Sequence, residues 1–157
     1  MRAYADTSFL VKLLTQEPGT TAAVELYRRI GRPPVLFLPL HALEVANAVR
    51  QRAFHQRHTT PSSERAAIKR ERDTSLALLQ KFISRRAFVE ISQDMDTAIE
   101  LARSLSAKHT ERLGCRGFDL LHVALALELE CEAFLTSDRV QGALARAEGL
   151  DVTVSAD

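Results

Sequence analysis

The chain has 157 residues, 46% of them hydrophobic and 26% charged, with a formal net charge of +1. That length and apolar content support a single two- or three-layer core and exclude disordered and fibrous classes. No stretch approaches the roughly 18 apolar residues of a membrane span. The two cysteines, Cys115 and Cys131, neither have zinc-ligand spacing nor suffice for a disulfide scaffold.

In chain order, RAYA reads as a short strand and TSFLVKLL as a helix with Leu10, Leu13 and Leu14 inward. Asp6 and Lys12 interrupt any signal-peptide core at this end, so a cytoplasmic location is expected, with no membrane partner. EPGTTAAVELYRRI is a second helix, introduced by Pro18 and Gly19. VLFL is an apolar strand ended by Pro39. HALEVANAVRQRAF follows as a helix with Leu43, Ala46, Val49 and Ala53 spaced to pack inward and Glu44 on another face. Thr60 is expected to cap a helix begun by Pro61, because proline has no N–H to lose there, with Glu64 near its positive end. Leu76, Leu79 and Phe82 or Ile83 continue an apolar stripe, so residues 50–86 are expected to form a helical hairpin packed on the domain.

FVEI then reads as a strand and DTAIELARSLSAKHT as a helix, with Gly114 and Gly117 bracketing a turn. DLLHVALALELE is apolar on nearly every side, the mark of a buried helix. AFLT, SDRVQGALARAEG and DVTV read as strand, helix and strand. Five short strands separated by helices predict the α/β class: a three-layer α/β/α sandwich around a mainly parallel five-stranded sheet, as a single domain over 1–157. There is no internal repeat and no glycine-rich phosphate loop.

Charge is unevenly placed. From Arg50 to Glu90 ten Lys or Arg face four acids, whereas from Gly117 to Asp157 two Arg face eight acids. A basic segment beside an acidic one suits a polyanion reader with a cation-loaded centre, although the basic run also reads as an ordinary solvated helix face.

Asp6 follows the first strand, Glu44 lies soon after the second, Asp119 opens a helix, and Asp138 follows AFLT. In open α/β sheets, groups acting on ligands gather at the carboxyl ends of strands, so these four are expected to converge. Each also has an ordinary reading: Asp6 and Asp119 as helix caps, Asp138 as a turn former, Glu44 as a surface pair with His41. As a set with no other counter-charge expected nearby, crowded carboxylates resist ionising together, and a hard cation such as Mg²⁺ or Mn²⁺ would relieve them. The matching substrate is a phosphate ester. Ser8 and Thr136 are candidates to order the site through their hydroxyls, or to serve as plain caps.

YADTSFLVKLL, Glu44 in its helix, FDLLHVALALE beginning at Asp119, and AFLTSDRVQGALARAEGL with Thr136 and Asp138 together resemble the PIN-domain nucleases, especially VapC-type toxins of toxin–antitoxin pairs. The resemblance covers essentially the whole chain. It implies that Asp6, Glu44, Asp119 and Asp138 are catalytic and hold Mg²⁺ or Mn²⁺, with Ser8 and Thr136 as polar helpers and Arg116 meeting phosphate or an acidic partner. It further implies RNA hydrolysis at single-stranded or loop regions, leaving 5′-phosphate and 3′-hydroxyl ends. A homodimer built on the 50–86 hairpin and a cognate antitoxin are the partners it implies. His122 is expected to make a structural hydrogen bond rather than to act in catalysis. The alternatives are an RNA-processing or DNA-cleaving nuclease of the same family, or a non-catalytic module that grips a basic partner with its acidic edge.

Overall fold

A computed structural model describes residues 2–154. Asp157, counted above among the C-terminal acids, lies outside the described residues. The chain begins with β1 (Ala3–Ala5), α1 (Thr7–Leu14), α2 (Thr20–Arg29) and β2 (Val35–Phe37). The hairpin helices α3 (Pro39–Thr59) and α4 (Arg65–Ser84) follow, then β3 (Phe88–Glu90) and α5 (Met95–Leu113). It ends with α6 (Gly117–Glu128), β4 (Ala133–Thr136), α7 (Arg139–Ala147) and β5 (Asp151–Val154).

The strands form one parallel sheet in the order β3-β2-β1-β4-β5, with Ala3 opposite both Val35 and Ala133. Strand alternation sends side chains to two separate cores. On one face Ala3, Ala5, Val35, Phe37, Phe88, Ala133 and Leu135 pack with α1, α2 and α4. On the other, Tyr4 and Phe134 pack with α5, α6 and α7. The α/β/α sandwich expected from the sequence is therefore the observed architecture. Burial on both faces explains why the strands read as apolar runs instead of alternating ones.

Strand order reverses between β1 and β4: the chain leaves β1 toward β2 and β3, then returns to β4 on β1's other side. Such a reversal makes connections diverge in opposite directions and opens a crevice beyond the carboxyl ends of the two strands. Asp6 comes directly after β1, and Asp138 two residues after β4.

The hairpin differs from expectation in three places. Thr60 closes α3 instead of capping the next helix, and Pro61 precedes a 3₁₀ turn over Ser62–Glu64, so α4 starts only at Arg65. The inward stripe of α3 is His41, Val45, Val49 and Ala53, while Ala46 is half-buried and Leu43 is 69% exposed. An i, i+4 series begun at His41 runs along one face, and Leu43 falls off it. Third, Arg52 is not on the free basic surface; its guanidinium bonds to Glu17, Glu71 and the Gln16 carbonyl, tying α3 to α4 and to the α1–α2 turn. Leu79 of α4 is buried, and Phe82 stacks on Phe88 at 4.9 Å between ring centres, fastening the hairpin to the sheet edge.

Candidate active site

Three helices begin at the cleft, and each acid's placement follows from how its helix starts. Asp6 is the N-cap of α1: one carboxylate oxygen accepts the Phe9 N–H at 2.9 Å. Asp138 caps α7, accepting the N–H groups of Val140 (2.8 Å) and Gln141 (3.0 Å). Asp119, in the first turn of α6, reaches back to the Arg116 N–H at 2.9 Å. The capping readings of Asp6 and Asp119 are thus correct as far as they go, whereas Asp138, read as a turn former, proves to be a helix cap. The positive ends of α1, α6 and α7 also face the crowded carboxylates and offset their repulsion. Glu44 sits one turn further into α3.

A cleft of about 350 Å³ is lined by Asp6, Glu44, Asp119 and Asp138 together with Ser8 and Arg116. Of the residues singled out in the sequence, only Thr136 is absent from its wall. It is fully buried beneath it, its hydroxyl donating to Asp6 at 2.7 Å and accepting the Asp138 N–H at 2.9 Å. Ser8 Oγ lies 2.8 Å from both Asp6 oxygens and accepts the Ser137 N–H at 3.1 Å. The Asp6 carboxylate is held in one orientation from three sides.

Glu44 does not pair with His41. Thr7 Oγ1 donates to its Oε2 at 2.8 Å, and His122 Nε2 lies 2.8 Å from the same oxygen. The other ring nitrogen of His122 is 2.8 Å from the Tyr4 hydroxyl. A carboxylate only accepts, so Nε2–H donates to Glu44, and the Tyr4 hydroxyl is the partner of Nδ1. Burial, then the nearby Glu44 and Asp6 charges, raise the Tyr4 pKa well above the usual phenol value, so it remains a donor. For Glu44, burial pushes the pKa up, but the hydrogen bond and charge of His122 and the Thr7 bond outweigh it and the net shift is down. His41 stacks on His122 at 5.4 Å and accepts the Leu38 N–H at 3.1 Å. Burial, followed by the neighbouring His122, drives its pKa down to about 3.

Burial raises the pKa of Asp6 despite hydrogen bonds from Thr136, Phe9 and Ser8. A carboxyl whose folded pKa exceeds its unfolded value binds its proton more tightly when folded. Its ionisation therefore costs stability, progressively as pH rises from the unfolded to the folded pKa and fully above it. Asp6→Asn, which keeps one acceptor for the cap while the two hydroxyls rotate to accept from the amide, should leave the metal-free melting temperature at pH 7 unchanged or raised. Asp6→Ala should lower it, losing about 1 kcal/mol of cap. A large loss in the Asn variant would show that the ionised form is structurally required.

The expectation that nothing of opposite charge stands among the acids is overturned by Arg116. Its guanidinium joins two of them, with Nε 3.2 Å from Asp119 and Nη2 3.2 Å from Asp138. The hydrogen bonds it donates to Asp119, then the charges of Asp119 and Asp138, raise its pKa. The side chain is nonetheless 76% exposed, so the link is open to solvent and to salt. Thr7 and Gln141 escaped sequence reading. Gln141 is buried in the cleft wall, with its amide 3.5 Å from the Asp119 carbonyl and 3.3 Å from Thr136 Oγ1. Its place three residues after Asp138, on the same helix face, is the signal that would have marked it.

Among the described residues, no three acids, histidines or cysteines stand close enough together to hold a metal ion as they are. The donor set fits a hard divalent ion in kind, since all four cleft acids offer carboxylate oxygen and no thiol lines the wall. If such an ion competes with Arg116 for Asp119 and Asp138, then Arg116→Ala should bind Mn²⁺ roughly tenfold tighter at low salt, because a unit charge a few ångströms from a divalent ion is removed. Calorimetry would read this directly, and equal affinity in both proteins would exclude the competition.

No helix among the described residues is long and apolar enough to cross a membrane. The chain matches no curated protein. A family model described as PIN domain matches residues 3–149, a stretch that runs from β1 through α7 and contains all four cleft acids. Members of that family are generally nucleases and typically use divalent metal ions. With the parallel sheet, its reversal beside β1 and this match over most of its length, the chain belongs to the PIN domain family.

Proposed function

We propose that the protein is a divalent-metal-dependent endoribonuclease and the toxin of a toxin–antitoxin pair, with Asp6, Glu44, Asp119 and Asp138 as the metal-holding and catalytic acids. The observation that carries this reading is that four carboxylates from four separate chain segments line one cleft at the crevice between β1 and β4. Capping explains three of these acids one at a time, but crowding all four into one cleft is unfavourable for like charges and is expected of a ligand site.

When bound, Mg²⁺ or Mn²⁺ supplies Lewis acidity and charge neutralisation at a phosphodiester. The chain's own residues hold and orient. Ser8 and Thr136 fix the Asp6 oxygens, Thr7 and His122 aim Glu44, and the first N–H groups of α7 fix Asp138. The exposed Arg116 guanidinium is within the cleft to meet a substrate phosphate once its carboxylate partners are engaged elsewhere.

RNA is favoured over a small phosphate ester by the basic hairpin. Arg50, Arg57, Arg65, Lys69, Arg70, Lys81, Arg85 and Arg86 are all exposed and suited to a long polyanion. Exposed Leu43 and Phe54 on α3 support a homodimer through the same hairpin, and an antitoxin would cover the cleft or this arm.

The test is cleavage of a pool of cellular RNAs by the wild type, Asp6→Ala and Asp119→Ala, with EDTA as control and product ends mapped. The expected result is Mg²⁺- or Mn²⁺-dependent cutting at few sites by the wild type alone. Identical cutting by all three proteins would expose a contaminant. Cutting of DNA but not RNA would keep the chemistry and reject the toxin reading, and metal binding with no cutting would favour the binding module.

A further inference from the structure

The lip of the cleft carries an aromatic side chain that the fold does not use. Arg116, Gly117 and Phe118 are consecutive, all exposed, and all line the cleft immediately before Asp119. Phe118 is 58% exposed. A shortage of core positions does not explain this, because α6 buries Leu120, Val123, Ala124, Leu125 and Ala126 a few residues later. The first turn of α6 points Asp119 into the wall and leaves the phenyl ring outside it, within the same cleft. The core leaves the ring uncovered within the cleft, so it is available to a ligand that enters the site.

We propose that Phe118 is a base-stacking platform that holds the nucleobase flanking the scissile phosphate. The inference rests on the proposed nuclease reading and deepens it. A nucleobase presents a flat π-face of about the size of one phenyl ring, and recognition of single-stranded RNA proceeds largely by stacking such bases on exposed aromatic side chains. The surroundings favour this occupant over a protein. Protein docking wants a contiguous apolar patch, whereas this ring stands among Arg116, Asp119 and Asp138. A nucleotide is apolar on its base face and anionic at its phosphate, and it meets a ring and the exposed guanidinium of Arg116 two residues apart. Stacking on a phenyl ring tolerates every base but rewards larger ones, so purines should be preferred at the stacked position.

The protein contains no tryptophan, so Phe118→Trp introduces a single indole reporter at the cleft lip. The probes are a mixed-sequence single-stranded RNA and a strand of the same length and charge with abasic positions, both titrated in Ca²⁺ to slow cleavage. The indole of Phe118→Trp should be quenched to saturation by the base-containing strand and little affected by the abasic one. Phe118→Ala should bind the base-containing strand roughly tenfold or more weakly than wild type, with unchanged affinity for the abasic strand and for Mn²⁺, while Phe118→Tyr retains wild-type binding.

Equal binding of the base-containing strand by wild type and Phe118→Ala would overturn the proposal and leave the nuclease reading standing. Equal quenching by both strands would overturn it in favour of a phosphate contact. Quenching that follows protein concentration without RNA would assign the ring to an interface between copies of this chain. A wild type that binds neither strand and cuts no RNA would remove the nuclease reading itself.

Discussion

Asp119→Asn should slow Mn²⁺-dependent RNA cleavage by about a hundredfold or more, an effect of the size seen when one group that stabilises transition-state charge is removed. Asn is the informative replacement because it keeps the shape and an acceptor for the Arg116 N–H, which Asp119 accepts at 2.9 Å. The start of α6 is thereby preserved while the charge is lost. Single-turnover cleavage with saturating Mn²⁺, beside a thermal melt of the same samples, separates the two. A variant that cuts RNA at a rate near wild type would remove Asp119 from the site. A variant that fails to fold would show that its charge serves the helix and not the substrate.

His122→Ala should be the costliest change near the site for the fold. The ring is buried, contacts Tyr4 and His41, and is the link between the Tyr4 hydroxyl and Glu44. Its removal leaves a cavity and a buried phenol without a partner. Together these should cost about 3 kcal/mol, which in a domain of this size lowers the melting temperature by about 6–12 °C. His122 is a positioning residue in this reading, so the loss should extend beyond stability. With Glu44 held by Thr7 alone, Mn²⁺ affinity should fall even at temperatures where the variant is fully folded. Tyr4→Phe provides the control: it removes the phenol oxygen but leaves the His122–Glu44 bond, and should lose about 1 kcal/mol with metal affinity preserved. Loss of affinity in Tyr4→Phe as large as in His122→Ala would mean that general packing, and not the aim of Glu44, is what matters.

Local patterns carried most of the fold. VLFL, AFLT and DVTV read as strands because short β-branched and aromatic runs bounded by turn formers have few other uses, and all three are strands within a residue of the expected ends. DLLHVALALELE read as buried because it is apolar around its whole circumference, and seven residues of α6 are buried. Local pattern determines the hairpin less closely. Proline at position 61 suits the first turn of a helix and equally the entry to a 3₁₀ turn, and the same local chemistry permits both. Leucine on a helix usually faces inward, yet Leu43 is exposed and His41 occupies the start of the buried stripe. Composition points away from a fully buried histidine, and it is the tertiary packing that seats the ring, with Phe37 and His122 stacked on it and Tyr4 tilted against it.

The candidate site divides the same way. That Asp6, Glu44, Asp119 and Asp138 would meet was legible from the sequence, because each follows a strand or opens a helix and a parallel sheet brings such positions to one edge. The local caps follow from the sequence, but which distant groups hold each acid was decided by tertiary structure. Thr136 reaches Asp6 across 130 residues of sequence, and His122 reaches Glu44 across 78. Arg116 turns toward Asp119 and Asp138 because α6 and α7 start side by side at the reversal of the sheet. Periodicity and capping are properties of neighbours in the chain, so the sequence by itself determines the elements and the ends at which the acids sit. Hydrogen bonds between distant segments depend on strand order and helix packing to within an ångström, and only the folded chain determines those.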